Sequence, residues 1–256
     1  MRKLLLIGLI ISSSAKLFAQ EADVETKTLR LGFRAQPIFS WMHIETRNLK
    51  NNGVSVGGKF GILIDKSFGK NKNYAFGTGI DFVMVAGSAL TSDSLYKINI
   101  EPVGLDTVRL NSRKYKLQYL DIPLTLKLKT NPIGDFVYFV QLGGTIGVNI
   151  SAKSEDNGYS QLKNAQFTET VKLKTGLGSG SEVKLVRAEV SLGIGAEWSI
   201  ISNLGLMMGV SYHKGLMNVF NGKNQNIKEN VTGKTLNPIS QSASLNYVSL
   251  NLALLF

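Results

Sequence analysis

The sequence predicts an all-β chain, an eight-stranded antiparallel transmembrane β-barrel of the outer-membrane type, formed after removal of a signal peptide. Three observations predict it: a long stretch of strict alternation, a secretory leader, and connections that are short and long by turns. From Leu120 to Leu128 every second side chain is Leu or Ile, while Tyr119, Asp121, Pro123, Thr125 and Lys127 fall between them. That period of two puts each set on its own face of a strand. After a turn rich in Pro, Gly and Asn, the pattern resumes with Phe136, Tyr138, Val140, Leu142, Ile146, Val148 and Ile150 on one face. Gln141, Gly143, Thr145, Gly147 and Asn149 occupy the other. Both arms exceed the roughly five or six residues of a soluble strand and suit the roughly 9 to 11 that a tilted transmembrane strand needs. The apolar face then meets lipid, and the polar face lines the barrel.

The leader consists of Met1-Arg2-Lys3, an apolar run from Leu4 to Ile11, and a mostly small or polar stretch to Ala19. This is the layout of a secretory signal over residues 1–19, and its apolar core is too short for a membrane-spanning helix. Residues 20–28 then form a short periplasmic segment, and the barrel occupies 29–256. Strand one alternates Leu31, Phe33 and Ala35 with Arg30, Gly32, Arg34 and Gln36 and runs past Pro37, which must sit where no ladder donor is needed. Strand two sets Phe60, Ile62 and Ile64 against Lys59, Gly61 and Asp65. Strand three sets Phe76, Ile80, Phe82 and Met84 against Gly77, Gly79 and Asp81. The stretch already described supplies strands four and five. Strand six sets Val190, Leu192, Ile194 and Trp198 against Arg187, Glu189, Ser191 and Glu197. Leu206, Met208, Val210 and Tyr212 mark strand seven, and Val248 to Phe256 closes the chain.

Turns two, four and six are short, and loops are expected near 45–53, 87–113, 153–183 and 218–243. In outer-membrane barrels the short turns are periplasmic and the long loops extracellular, so an even strand number puts both termini in the periplasm. Trp41, Tyr74, Phe76, Phe136, Trp198 and Phe256 lie near strand ends, where interfacial aromatic girdles belong.

Composition limits the partners. The 256 residues contain no cysteine, which excludes a lipoprotein anchor and a disulfide framework. The formal charge of +11 falls to +8 when Arg2, Lys3 and Lys16 leave with the leader. In an exported β-protein this basic excess points to a membrane surface. Nucleic acid is not expected, since aromatic and basic side chains do not cluster as an oligonucleotide groove requires.

The inward positions carry Arg30, Arg34, Lys59, Lys127 and Arg187 with Asp65, Asp81, Asp121, Glu189 and Glu197. Eight strands enclose a space just wide enough for side chains to fill, so these charges should neutralise one another in a packed polar core. An ion path would need a water-filled lumen. A second basic set, Arg47, Lys50, Lys114, Lys116, Lys153, Lys184 and Lys214, falls near the extracellular rim, where lipopolysaccharide presents phosphate and nearby cations gain energy. His43 and His213 are rim histidines. A general base there needs a serine or an acid in reach, and the sequence has no tight His-x-Ser with an acid at matching depth, so no catalytic residue, metal ligand or cofactor is assigned. The phosphate-loop-like Gly53 to Lys59 lies inside a strand with no following helix and is a coincidence of spacing.

Four segments, Lys116 to Leu124, Tyr138 to Asn149, Gly193 to Trp198 and Ser211 to Leu216, resemble the PorT-type outer-membrane β-barrel proteins of Bacteroidota, and Tyr119-Leu-Asp-Ile-Pro123 is the most specific of these likenesses. The resemblance implies an eight-stranded barrel in the porin-like class. It implies a role less directly, because only the namesake branch is tied to the type IX protein secretion system. The expected function is therefore a non-enzymatic outer-membrane barrel, as an accessory of type IX secretion in its sharpest form, in contact with lipopolysaccharide and other envelope proteins. The alternatives are a lipid A-modifying enzyme and a surface adhesin or binding barrel.

Overall fold

A computed structural model describes residues 28–46, 49–91, 95–101, 104–160, 163–178, 180–201, 204–221, 223–230 and 236–256. The expected signal peptide and nearly all of the segment 20–28 lie outside the described residues. Eight long strands follow one another around a closed ring: β1 Leu29–Ile44, β2 Ser55–Phe68, β3 Tyr74–Thr91, β4 Gly104–Lys129, β5 Phe136–Ser160, β6 Val186–Ile201, β7 Leu204–Gly215 and β8 Ala243–Leu255. Each pairs antiparallel with the next, and β8 returns to β1, with Gly32 opposite Leu255 and Ile44 opposite Ala243. Closure leaves no unpaired edge in the ring, as a sheet in hydrocarbon requires.

The alternation falls as expected. On β4, Leu120, Ile122, Leu124, Leu126 and Leu128 point outward and exposed, while Tyr119, Asp121, Thr125 and Lys127 are buried inside. Phe33, Ile62, Ile80, Leu142, Ile194 and Leu252 repeat the outward placement around the ring. Rings pack in pairs near the strand ends. At the end that carries the short turns these are Phe33 with Phe256, Phe68 with Tyr74 and Phe136 with Trp198; towards the other end Trp41 stacks on Tyr212.

The β2–β3 turn holds Gly69 at φ 89° and Lys72 at φ 55°, and the β4–β5 turn holds Gly134 at φ 60°, backbone that glycine supplies most cheaply. Pro37 faces Gly58 of β2, while the register to β8 passes from Ala35–Leu252 to Ile38–Ser249. The missing N–H thus falls where the ladder is interrupted.

Much of three segments read as loops is strand. β4 and β5 run for 26 and 25 residues, far beyond a bilayer's needs. Past the ring they continue as a sheet in the order Leu236–Ser240, Lys223–Asn230, Leu95–Glu101, β4, β5, Ala165–Lys172. The polar composition of these stretches gave them the look of loops. Where β4 and β5 extend past the ring, the buried face carries Ser154, Asp156 and Ser160 as well as Leu110, so no continuous apolar face announces the strands.

Candidate functional site: the charged lumen and the basic rim

The interior charges form two connected groups. Nearest the short-turn end, Arg30 from β1 bridges Asp65 of β2 at 2.9 Å and Glu197 of β6 at 2.8 Å. Lys127 and Lys129 of β4 join them, Lys127 at 3.2 Å from Asp65 and Lys129 at 3.1 Å from Glu197. Lys129 is a member that sequence reading missed, because it stands at the edge of the turn, where a lysine ordinarily points to water. Leu63, Phe139, Met207, Ala253 and Leu255 pack around this cluster; the Lys127 ammonium lies 5.5 Å from the Phe139 ring centre.

The second group sits one layer further in. Asp81 and Asp121 face each other across β3 and β4, a pairing of like charges that needs compensation. Each carboxylate has its own guanidinium: Arg34 donates to Asp81 at 2.5 Å and Arg187 to Asp121 at 2.5 Å. Lys59 approaches Asp81 at 3.9 Å and donates to the Tyr247 hydroxyl at 3.2 Å. Glycines make room, since a Cβ on Gly61 would collide with the Asp81 carboxylate and one on Gly147 with Asp121. Buried charges are costly unless fully paired, and three cations here meet the three carboxylates of Asp81, Asp121 and Glu189.

Glu189 anchors an arrangement the sequence did not announce. Its Oε1 lies 3.1 Å from His213 Nδ1, and His213 Nε2 lies 3.2 Å from Ser249 Oγ. Acid, imidazole and hydroxyl thus stand in the order of a nucleophilic triad. They come from the successive paired strands β6, β7 and β8, over separations of 24 and 36 residues, so no local spacing could show them. The surroundings differ from those of a working nucleophile. Ser249 is fully buried and its hydroxyl also reaches Asn251 at 3.0 Å. The Tyr247 ring stacks on the imidazole at 4.2 Å, and its hydroxyl donates to Glu189 at 2.5 Å. Every polar atom of the trio is already engaged, and none opens to a substrate. His43, by contrast, points outward from β1, opposite Ser244. Among the described residues no three metal-ligating side chains gather.

Above these layers the interior turns apolar. Ile38, Met42, Leu117, Tyr119 and Leu245 point inward from the strands, and Leu173, Val183, Val219 and Phe220 enter from the connections after β5 and β7. Phe220 packs 4.8 Å from Tyr115, whose hydroxyl accepts from Gln241 at 3.2 Å. Arg113 closes the top, 2.9 Å from Asp156 and 3.6 Å from Glu182.

Of the rim set, Arg47 lies outside the described residues. Lys50 and Lys214 are exposed and well separated in the pairing, Lys50 opposite Leu90 and Lys214 opposite Asn246 and Val190. Lys184 is half-buried in a short parallel pair with Gly176. Lys114, Lys116 and Lys153 are brought together on the outer wall.

The profile of the outer membrane protein beta-barrel domain family matches residues 18–221. The chain belongs to that family. Its members' barrel accounts for the closed ring and the lipid-ready outer face together, and outer-membrane residence is consistent with both. No curated protein matches the chain. Among solved structures, Neisserial surface protein A is 8% identical with a TM-score of 0.37, over 87% of this chain and 95% of that one. The outer membrane protease OmpT from Escherichia coli is 11% identical with a TM-score of 0.38, over 92% and 98%. The attachment invasion locus protein Ail of Yersinia pestis is 11% identical with a TM-score of 0.33, over 90% and 100%. These likenesses carry no argument about function.

Proposed function

We propose that this barrel is a non-enzymatic, non-conducting outer-membrane protein that works through the sheet its strands carry beyond the bilayer. The short turns and both termini then face the periplasm, and the sheet faces outside among lipopolysaccharide and protein partners. The observation that carries this reading is the filled interior: ion pairs below and apolar side chains above leave the wall and the sheet as the surfaces that can act. The resemblance to PorT-type proteins supports a sharper version, an accessory role in type IX secretion.

The register supplies the test. Leu90 and Ser112 face each other across β3 and β4, so a short turn joining them removes the arm 91–111 without disturbing the ring. Pull-downs from detergent-solubilised membranes with the parent should yield secretion components, and the trimmed variant should lose them. No co-purifying secretion component from the parent would sink the secretion role and favour an adhesin. The Ser249–His213–Glu189 geometry favours a hydrolase as the second reading. A fluorophosphonate probe that labels Ser249 in the folded protein would establish that reading against ours.

A further inference from the structure

Lys114, Lys116 and Lys153 share one groove of about 280 Å³ on the outer wall, floored by Val56 and Met84. Two irregularities of the backbone open it. The β2–β3 register begins only at Gly58–Met84, so Ser55 and Val56 lie beyond the paired stretch, and the β4–β5 register slips between Gln118 and Tyr119. The groove sits at the upper limit of the apolar belt. Below it on β4 the outward residues are Leu120, Ile122 and Leu124, and above them come Gln118, Lys116 and Lys114.

Lys114 stands opposite Glu155, but the other charges in this groove are arranged against themselves. Lys116 stands directly opposite Lys153, and Lys153 stands directly opposite Lys172 on its other side. Like charges facing each other across a ladder are destabilising. Glu155 pairs with Lys116, while Lys114 and Lys153 have no ion pair among the described residues. The apolar floor continues into hydrocarbon, with Val56 71% exposed. An anion with a hydrocarbon tail answers both features at once, since its phosphate relieves the repulsion and its chain covers Val56 and Met84.

We propose that this groove binds a phosphorylated lipid of the outer leaflet, with the phosphate between the ammonium groups of Lys114 and Lys153. The inference rests on the outer-membrane reading above and narrows its basic rim from a diffuse collar to one site.

The test uses the full-length protein in nanodiscs, with lipid binding followed by native mass spectrometry against a phosphorylated glycolipid and its dephosphorylated form. Lys114→Gln with Lys153→Gln should weaken binding of the phosphorylated form roughly thirtyfold, at about 1 kcal/mol for each basic side chain near an anionic surface. Lys50→Gln with Lys214→Gln removes the same charge elsewhere and should change binding less than threefold. Glu155→Gln releases Lys116 and should tighten binding. Equal losses in the two lysine pairs would reduce the site to a collar and overturn the proposal. So would equal retention of the dephosphorylated lipid, or displacement of the lipid by millimolar inorganic phosphate. Pull-downs with the groove variant separate this result from the partner question, because a secretion partner that still co-purifies leaves the proposed function standing whatever the lipid does.

Discussion

On β4, Asp121, Thr125 and Lys127 point into the barrel while Leu120 to Leu128 point out. A few residues further along the same strand, Tyr115, Leu117 and Tyr119 point in while Lys114, Lys116 and Gln118 point out or stand half-exposed. Parity is unchanged, yet the chemistry of the two faces is exchanged. The lower region is polar within and apolar without, as lipid around it demands; the upper region has the ordinary order of a protein in water, apolar within. The exchange between Leu120 and Gln118 marks where the surrounding solvent changes from hydrocarbon to water. It also divides the interior into a charged lower half, sensitive to loss of any one partner, and an upper half held by packing.

The largest effect should come from breaking the lower half. Asp65 accepts from Arg30, Lys127 and Lys129 at 2.9, 3.2 and 3.5 Å. Asp65→Ala leaves three cations to share Glu197, and an uncompensated buried charge costs about 3 to 5 kcal/mol. The expected outcome is a clear drop in the temperature at which the detergent-solubilised barrel loses its folded gel mobility. An unchanged transition would show that water penetrates the cluster and that the lower half is no sealed core.

The second test moves one charge across the solvent boundary. Leu124→Arg sets a guanidinium on the lipid face near mid-bilayer, at a cost of roughly 2 to 4 kcal/mol. Gln118→Arg lies six residues along the same face, beyond the exchange, and should be close to neutral. Urea titration of each variant folded into vesicles measures the difference. Equal stabilities would displace the membrane boundary from where the faces exchange. Thr125→Arg is a poor control, because Thr125 is buried against Gly77 and Gly143 and a larger side chain there would fail by overpacking.

What could be read from the sequence follows the same division. Strands within the membrane announce themselves because one face must be apolar, and Arg30, Arg34, Lys59, Asp81, Asp121, Lys127, Arg187, Glu189 and Glu197 stand out as charges at inward positions of such strands. The partners within that network could not all be read: Asp65 faces Arg30 directly in the β1–β2 register, but Glu197 reaches it from β6 across the lumen. The Glu189–His213–Ser249 line escaped because its members lie 24 and 36 residues apart and only the strand registers bring them together. Above the boundary the alternation persists with its faces exchanged: Tyr119 is legible as an inward residue, while the membership of Leu117 in an apolar core is not. Val219 and Phe220 gave no signal at all, because two apolar residues in a long polar connection look the same whether they are buried or idle.

The smallest effect is expected where the upper half meets its plug. Phe220 is 3% exposed and packs on Tyr115, and truncating a core Phe commonly costs about 3 to 5 kcal/mol. Here the ring belongs to a connection and not to the ladder, so Phe220→Ala should loosen the segment after β7 and leave the ring's hydrogen bonds intact. Faster proteolysis within 216–243 with an unchanged heat transition of the barrel is the expected pair of results. Planar-bilayer recordings then separate the two halves. The Arg34–Asp81 and Arg187–Asp121 pairs still fill the section below, so neither the parent nor Phe220→Ala should carry a steady current. A current that appears with Phe220→Ala alone would mean that the plug is the seal and that the charged half conducts, which would make the lumen network a pathway where its geometry argues for a packed core.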